Sequence, residues 1–306
     1  MIAPTMPLLT IHHKTCYRYA RPVAFGEHRI MLRPRDGHDL RVIEGSLEIT
    51  PVPMSLRWIH DVFGNSVAIA TFDERAETLS FISTATVEHN PAAPYVPTPD
   101  DPAYFYPFLY DDEEFPDLVQ FITPQYGDPR GELSAWALNF LDAEGPTPTF
   151  NILSGMTHGI RDAFTYRKRH EQGTQHPLDT LQTRSGTCRD YALFMIEALR
   201  RLGIAARFVS GYIALSGDRA RDHVGGGNTH AWVQAYLPSA GWIEFDPTNG
   251  IVGTRDLIRV AVARDPRQAI PLHGTYLGPA DAFIGMDISI NVVPASEPSA
   301  GEHART

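Results

Sequence analysis

Apolar and polar positions change rhythm once along this chain. From residue 8 to about residue 90 they alternate with a partial period of two. The stretches LLTIHHKTCYRY, HRIMLRP, RVIEGSLEITP, LRWIHDVFGNSVAIATF and TLSFISTATVEHN are rich in Val, Ile, Thr and aromatics, which predicts strands. PRDG at 34–37 and FGN at 63–65 are turn signals between them. Strand after strand without a helix predicts an antiparallel, sandwich-like layer. Beyond residue 130 the period lengthens. GELSAWALNFLDA and TFNILSGMTHGIRDAFTYR read as helices, the second through Ile152, Leu153, Met156, Ile160, Ala163 and Phe164. CRDYALFMIEALRR follows as an amphipathic helix with a stripe of Ala192, Leu193, Ile196, Leu199 and Leu202, and Gly203 is its expected stop. Strands return in IAARFVSGYIAL, THAWVQAYLP, GWIEFDP, LHGTYLG and AFIGMDISINVVP.

The fold class expected is therefore α+β. An N-terminal β domain spans 1–95, and a Pro-, Asp- and aromatic-rich connection spans 96–130, its aromatics packing on a surface. A domain of helices on an antiparallel sheet spans 131–293. The polar stretch 294–306 is expected to be a disordered tail.

Composition narrows the function classes. The chain has 306 residues with 26 basic and 36 acidic side chains, a net charge of -10, so a nucleic-acid partner is not expected. No apolar run is long enough to span a membrane, and MIAPTMPLLTIHHKTCYRYA has neither the basic nor the apolar part of an export signal. A cytoplasmic protein with no membrane partner is the expectation. Two cysteines, Cys16 and Cys188, make no disulfide framework and no Cys-rich zinc site, so no cofactor and no metal are expected.

Candidate chemistry centres on Cys188. In SGTCRD the thiol falls at the first turn of the predicted helix, where free N–H groups and the helix dipole favour a thiolate. Thr187 and Asp190 have the spacing of a capping box, with Asp in place of Glu. Cys188 as a small buried hydrophobe is the plainer alternative. A nucleophilic thiol needs a base and the base an orienting group. His230 opens the strand THAWVQAYLP after the glycine-rich stretch SGDRARDHVGGGN, and shares a mixed polar and aromatic face with Trp232 and Gln234. Asp246 ends GWIEFDP, and a hairpin through PSAG sets His230 and Asp246 side by side. Cys16, mid-strand, is expected to be inert. A Cys/His/Asp zinc site is the alternative use of the same three residues.

At these residues the chain resembles the transglutaminase-like superfamily, whose core has the papain-like cysteine protease fold. The stretches SGTCRDYALFMIEALRRLGIAARFVSGY, THAWVQAYLPSAGWIEFDPTNG and IPLHGTYLG carry the resemblance. IHHKTCYRYARPVAFGEHRIMLRPR and WIHDVFGN resemble the N-terminal β domain of bacterial transglutaminase-like proteins. The resemblance covers most of the chain apart from about residues 91–150 and the last dozen. It implies Cys188 as nucleophile, His230 as base and Asp246 as orienting acid, acting on a peptide or protein substrate. Gln182 stands six residues before Cys188, where papain-like proteases place an oxyanion glutamine. Tyr212 and Trp232 are candidate cleft walls. Superfamily members include cross-linking enzymes, amide hydrolases and proteases. A peptidase or amidohydrolase is the favoured expectation, with a protein-glutamine cross-linking enzyme and a non-catalytic peptide-binding module as alternatives.

Overall fold

A strand of 23 residues, β1 (Leu8–Ile30), organises the first half of the molecule. The computed structural model describes residues 8–295 except 92, 94, 170–172 and 215–228. SGDRARDHVGGGN and almost all of the polar tail lie outside the described residues. After β1 come β2 (Leu40–Thr50), β3 (Ser55–His60), β4 (Ser66–Thr71) and β5 (Arg75–His89), all antiparallel neighbours in the order β2-β5-β1-β4-β3. The alternation that predicted strands is the burial pattern itself: β5 buries every second residue from Leu79 to His89.

The second half is built on a five-stranded antiparallel sheet. Short pairs come first: β6 (Phe105–Tyr106) with β7 (Thr147–Pro148), and β8 (Thr165–Tyr166) with β9 (Ser185–Gly186). The sheet then comprises β10 (Ala206–Ile213), β11 (His230–Leu237), β12 (Gly241–Asp246), β13 (Ile251–Val252) and β14 (Leu257–Ala263) in the order β13-β12-β11-β10-β14. Helices α1 (Phe115–Ile122), α2 (Glu132–Leu138), α3 (Thr149–Ala163), α4 (Pro177–Thr183) and α5 (Cys188–Arg201) accompany it. The arrangement is the expected α+β one.

Three expectations need correction. The two strands closing the chain, β15 (Leu272–Leu277) and β16 (Phe283–Pro294), do not extend the second sheet. Both pair with β1, so the segment assigned to the second domain completes the first sheet. Strand period carries no information about partner choice, and β1 is long enough to take different neighbours along its two halves. Next, the connection 96–130 packs through its aromatics as expected, Tyr106 and Tyr110 donating hydrogen bonds to the Leu202 and Tyr236 carbonyls. It also contains an unexpected helix, α1, which buries Leu118 and Phe121 against Ala205. Finally, α5 is buried on every side rather than along a stripe, even at Glu197 and Arg200. These two charges survive burial because they bond each other at 2.8 Å and are saturated by backbone groups. Glu197 accepts from the N–H groups of Gln125 and Tyr126, while Arg200 donates to the carbonyls of Phe121, Ala206 and Arg264. Gly203 ends the helix at φ 74°, as expected.

The two sheets are joined by directed bonds. The Asn65 side chain bonds both the N–H and the C=O of Val262 on β14, at 2.9 and 2.7 Å. Arg259 bridges Asp39 of the first half to Glu244 of β12. Tyr212 donates to the Leu32 carbonyl and accepts from Nδ1 of His13 at 3.0 Å, while Nε2 of His13 takes the Thr15 hydroxyl. Buried and fully bonded as the neutral ring, His13 is pushed down to about 4, chiefly by desolvation and then by His12. Its folded value lies below its unfolded one, so it contributes stability above about pH 6.5 that is lost as pH falls through about 4. The expected outcome in acid melts is a loss of up to about 3 kcal/mol from this group. His13→Gln should flatten the fall in melting temperature between those pH values; an unchanged slope would contradict the assignment.

Candidate active site

Cys188 sits where the capping pattern placed it, at the first position of α5, with Thr187 extended before it. Asp190 builds the turn. Its carboxylate accepts from the Thr187 N–H at 2.8 Å and hydroxyl at 2.9 Å, and from Arg169 Nε at 2.9 Å and the Gln175 N–H at 2.8 Å. A Cβ at residue 186 would lie 2.8 Å from that of Asp190, so only glycine admits this fold-back. Arg189 turns away and donates to the carbonyls of Pro266 and Ala269 with its guanidinium over Phe208. Asp190 and Arg189 thus build the helix start and its packing.

β11 and β12 form the hairpin read from PSAG, with Val233 opposite Phe245 and Leu237 opposite Gly241. At its open end His230 Nε2 meets Asp246 Oδ2 at 2.7 Å, both side chains fully buried. Burial alone would raise the Asp246 carboxyl. Its interaction with His230, the Asn249 amide at 2.8 Å and the Thr248 N–H at 2.9 Å reverse this and hold it below the usual carboxylate range. Burial likewise opposes a charged His230, but the Asp246 carboxylate and then Cys188 overcome it, and the ring is raised to about 10. With Nε2 committed to Asp246, Nδ1 is buried without a hydrogen-bond partner and is the nitrogen left to exchange a proton with the neighbouring thiol. Cys188, His230 and Asp246 are brought together.

Gln182 and Tyr212 do not join them, and Trp232 does so only as a buried neighbour of His230. Gln182 is exposed on α4 and donates to Glu132 at 3.3 Å; six residues of spacing do not turn it toward a buried thiol. Tyr212 is the interdomain bond described above, and Trp232 is completely buried. Neither is a cleft wall, because these strands are covered on both faces. Trp232 instead stacks on His230 with centroids 6.0 Å apart and donates to Glu244 at 2.6 Å. It lies over Gly211, where a Cβ would come within 2.6 Å of the indole. Gln234 donates to Glu244 as well, so the face carrying His230 is a closed polar network. Cys16 is half-buried and, like Cys188, a free thiol. No three His, Cys, Asp or Glu side chains are grouped as metal ligands among the described residues.

Sequence reasoning missed Asn249, Thr248 and Tyr166. β8 pairs in parallel with β9, setting Tyr166 opposite Gly186, and this brings the Tyr166 phenol beside the Cys188 thiol. Burial and then Cys188 raise this phenol above its ordinary value, keeping it a donor. The aromatic in FTYR was the available signal, but it was read as a continuation of α3.

The family description "bacterial transglutaminase-like N-terminal region" matches residues 9–88, and "transglutaminase-like superfamily" matches residues 142–247. An uncharacterized protein of Mycobacterium tuberculosis is 28% identical over 309 residues, covering 95% of each chain. A protein-glutamine gamma-glutamyltransferase of Pseudomonas aeruginosa is 33% identical over 136 residues, which span 43% of this chain and 20% of that protein. A Cytophaga hutchinsonii structure, solved as a candidate cysteine protease, superposes with a TM-score of 0.67 at 20% identity. It covers 95% of this chain and 92% of its own, a likeness of fold.

The raised His230 makes a signed prediction. Its pairing with Asp246 contributes stability in full below about pH 6.5, and this contribution is lost as pH rises through about 10. Asp246→Asn should therefore melt furthest below the wild type at or below about pH 6.5, with the gap narrowing as pH rises from there toward about 10. Thermal melts across that range check it; a gap that is constant or widens with pH would contradict the assignment.

Proposed function

Because the chain belongs to the transglutaminase-like superfamily and carries the bacterial transglutaminase-like N-terminal region, we propose that it is a thiol-dependent acyl-transfer enzyme. Its substrates are peptide or amide bonds, and hydrolysis is the favoured outcome. The observation that carries this reading is the buried His230–Asp246 pair beside a cysteine at a helix start. Cys188 Sγ attacks the carbonyl carbon while its proton rests on Nδ1 of His230. The tetrahedral oxyanion takes hydrogen bonds from the first-turn N–H of Cys188 and from the Tyr166 hydroxyl. The C–N bond then breaks, His230 gives its proton to the departing amine, and a thioester remains. Water loses a proton to His230, attacks the thioester and releases the acid and the thiol. Asp246 stays ionised throughout, fixing the ring and favouring its charged form.

Water is favoured over an amine as acceptor for a local reason. A cavity flanked by Arg189 and Thr229, the chain neighbours of Cys188 and His230, has no acidic side chain among its described walls to hold an incoming ammonium. Amine transfer is the second reading, supported by the stretch shared with the Pseudomonas gamma-glutamyltransferase.

Mass spectrometry of a peptide library incubated with the protein and a labelled primary amine tests both. Peptide cleavage or glutamine deamidation without label is the expected outcome, lost in Cys188→Ala. Label at glutamine would establish the second reading, and identical traces from wild type and Cys188→Ala would contradict both. Tyr166→Phe should lower kcat by about a hundredfold with little change in KM; an unchanged kcat would remove Tyr166 from the oxyanion site.

A further inference from the structure

A cavity lined by Arg189 and Thr229, the chain neighbours of Cys188 and His230, is walled by both halves of the molecule. Its volume is about 260 Å³. Arg189 and Thr229 belong to one wall, and β1 and β16 supply another. In the β1–β16 register Thr15 faces Ile288 and Tyr17 faces Met286. These four positions are two apart on each strand, so they share one face and present it to the cavity. This wall exists only because β16 returns to the first sheet.

Among the described residues, the charges around the cavity are already spent. The Arg189 guanidinium is held by the Pro266 and Ala269 carbonyls, and that of Arg267 by Asp265 at 2.8 Å. What remains is largely apolar, with threonine hydroxyls. At just under the range of about 300–1,000 Å³ usual for small-molecule sites, it has room for a side chain rather than a cofactor. A second cavity of about 570 Å³ shares Arg267 and Ile270 with it and continues the groove toward Phe63. A groove of this form suits an extended chain.

We propose that this cavity is the subsite for an uncharged, apolar side chain flanking the reacting carbonyl of a peptide substrate, and that the N-terminal sheet supplies the wall that selects it. The proposal rests on the acyl-transfer reading above. The occupant is fixed by position: whatever fills the cavity lies against the residues next to the nucleophile and the base. A lysine or aspartate side chain there would lose its hydration without gaining a counter-charge.

The test uses the full chain and three reagents read by Cys188 modification in intact-protein mass spectra. Two peptidyl vinyl sulfones, identical except for leucine or lysine beside the electrophile, capture the thiolate by addition across the vinyl group. Iodoacetamide reports the nucleophile alone. In wild type the leucine probe should label at least about tenfold faster than the lysine probe. Met286, 46% exposed, tolerates a polar replacement, so Met286→Lys should bring that ratio toward one without changing iodoacetamide labelling; Ile288→Lys should do the same. Equal rates for the two probes in wild type, or a ratio that survives both substitutions, would overturn the subsite while leaving acyl transfer standing. Failure of iodoacetamide and both probes to label Cys188 would overturn the acyl-transfer reading, and the subsite with it.

Discussion

His230 and Asp246, 2.7 Å apart with no solvent on either side chain and each favoured in its charged form by the other, set the terms for the rest of this molecule. Removing two such charges from water costs several kcal/mol each, and their mutual attraction recovers this only when the geometry is good and the spare lone pairs are bonded. The fold meets both conditions locally. The β11–β12 hairpin fixes the separation, and the turn after β12 curls so that Thr248 and Asn249 donate to the carboxylate. Trp232, anchored on Glu244 and seated over Gly211, covers the face of the imidazole. Because Asp246 holds Nε2, Nδ1 is the only ring nitrogen available to the thiol. The electrostatics that stabilise the pair thereby choose the proton path.

The N-terminal sheet is part of the same construction. Glu244 receives Trp232 and Gln234 from the core and Arg259, which also binds Asp39 of the first half. The residue that anchors the tryptophan over His230 therefore belongs to the network that docks the two sheets. Tyr212 and His13 make a second tie, and Asn65 replaces missing strand partners at the edge of β14. With β15 and β16 returning to β1, the chain begins and ends the described structure in one sheet, and the groove between the sheets has both walls fixed.

Much of the site was legible because its signals are local. A cap-spaced Thr187 and Asp190 locate the start of α5, and a short PSAG turn sets the hairpin register that aligns His230 with Asp246. What escaped depends on distant pairing or on exposure. Tyr166 reaches the thiol through a two-residue parallel pairing with Gly186, which no periodicity announces. Asn249 and Thr248 look like any turn after a strand. Tyr212 and Trp232 alternate as cleft walls would, but β10 and β11 are covered on both faces, so alternation no longer separates inside from outside. Gln182 had the right spacing and the wrong direction, since α4 carries it to the surface beside Glu132. The return of β15 and β16 to β1 was invisible for the same reason as Tyr166: strand pattern records burial, not partners.

The most direct test of the account is the protonation state of the His230 ring in the resting protein. Nitrogen-15 spectra of histidine-labelled full-length chain, with His230 assigned by its absence in His230→Asn, would read it. The account predicts an imidazolium with both ring nitrogens protonated at pH 8, retained until pH approaches about 10 and neutral at pH 8 in Asp246→Asn. A wild-type ring that is neutral at pH 8, titrating near the ordinary histidine value of about 6.5, would contradict it.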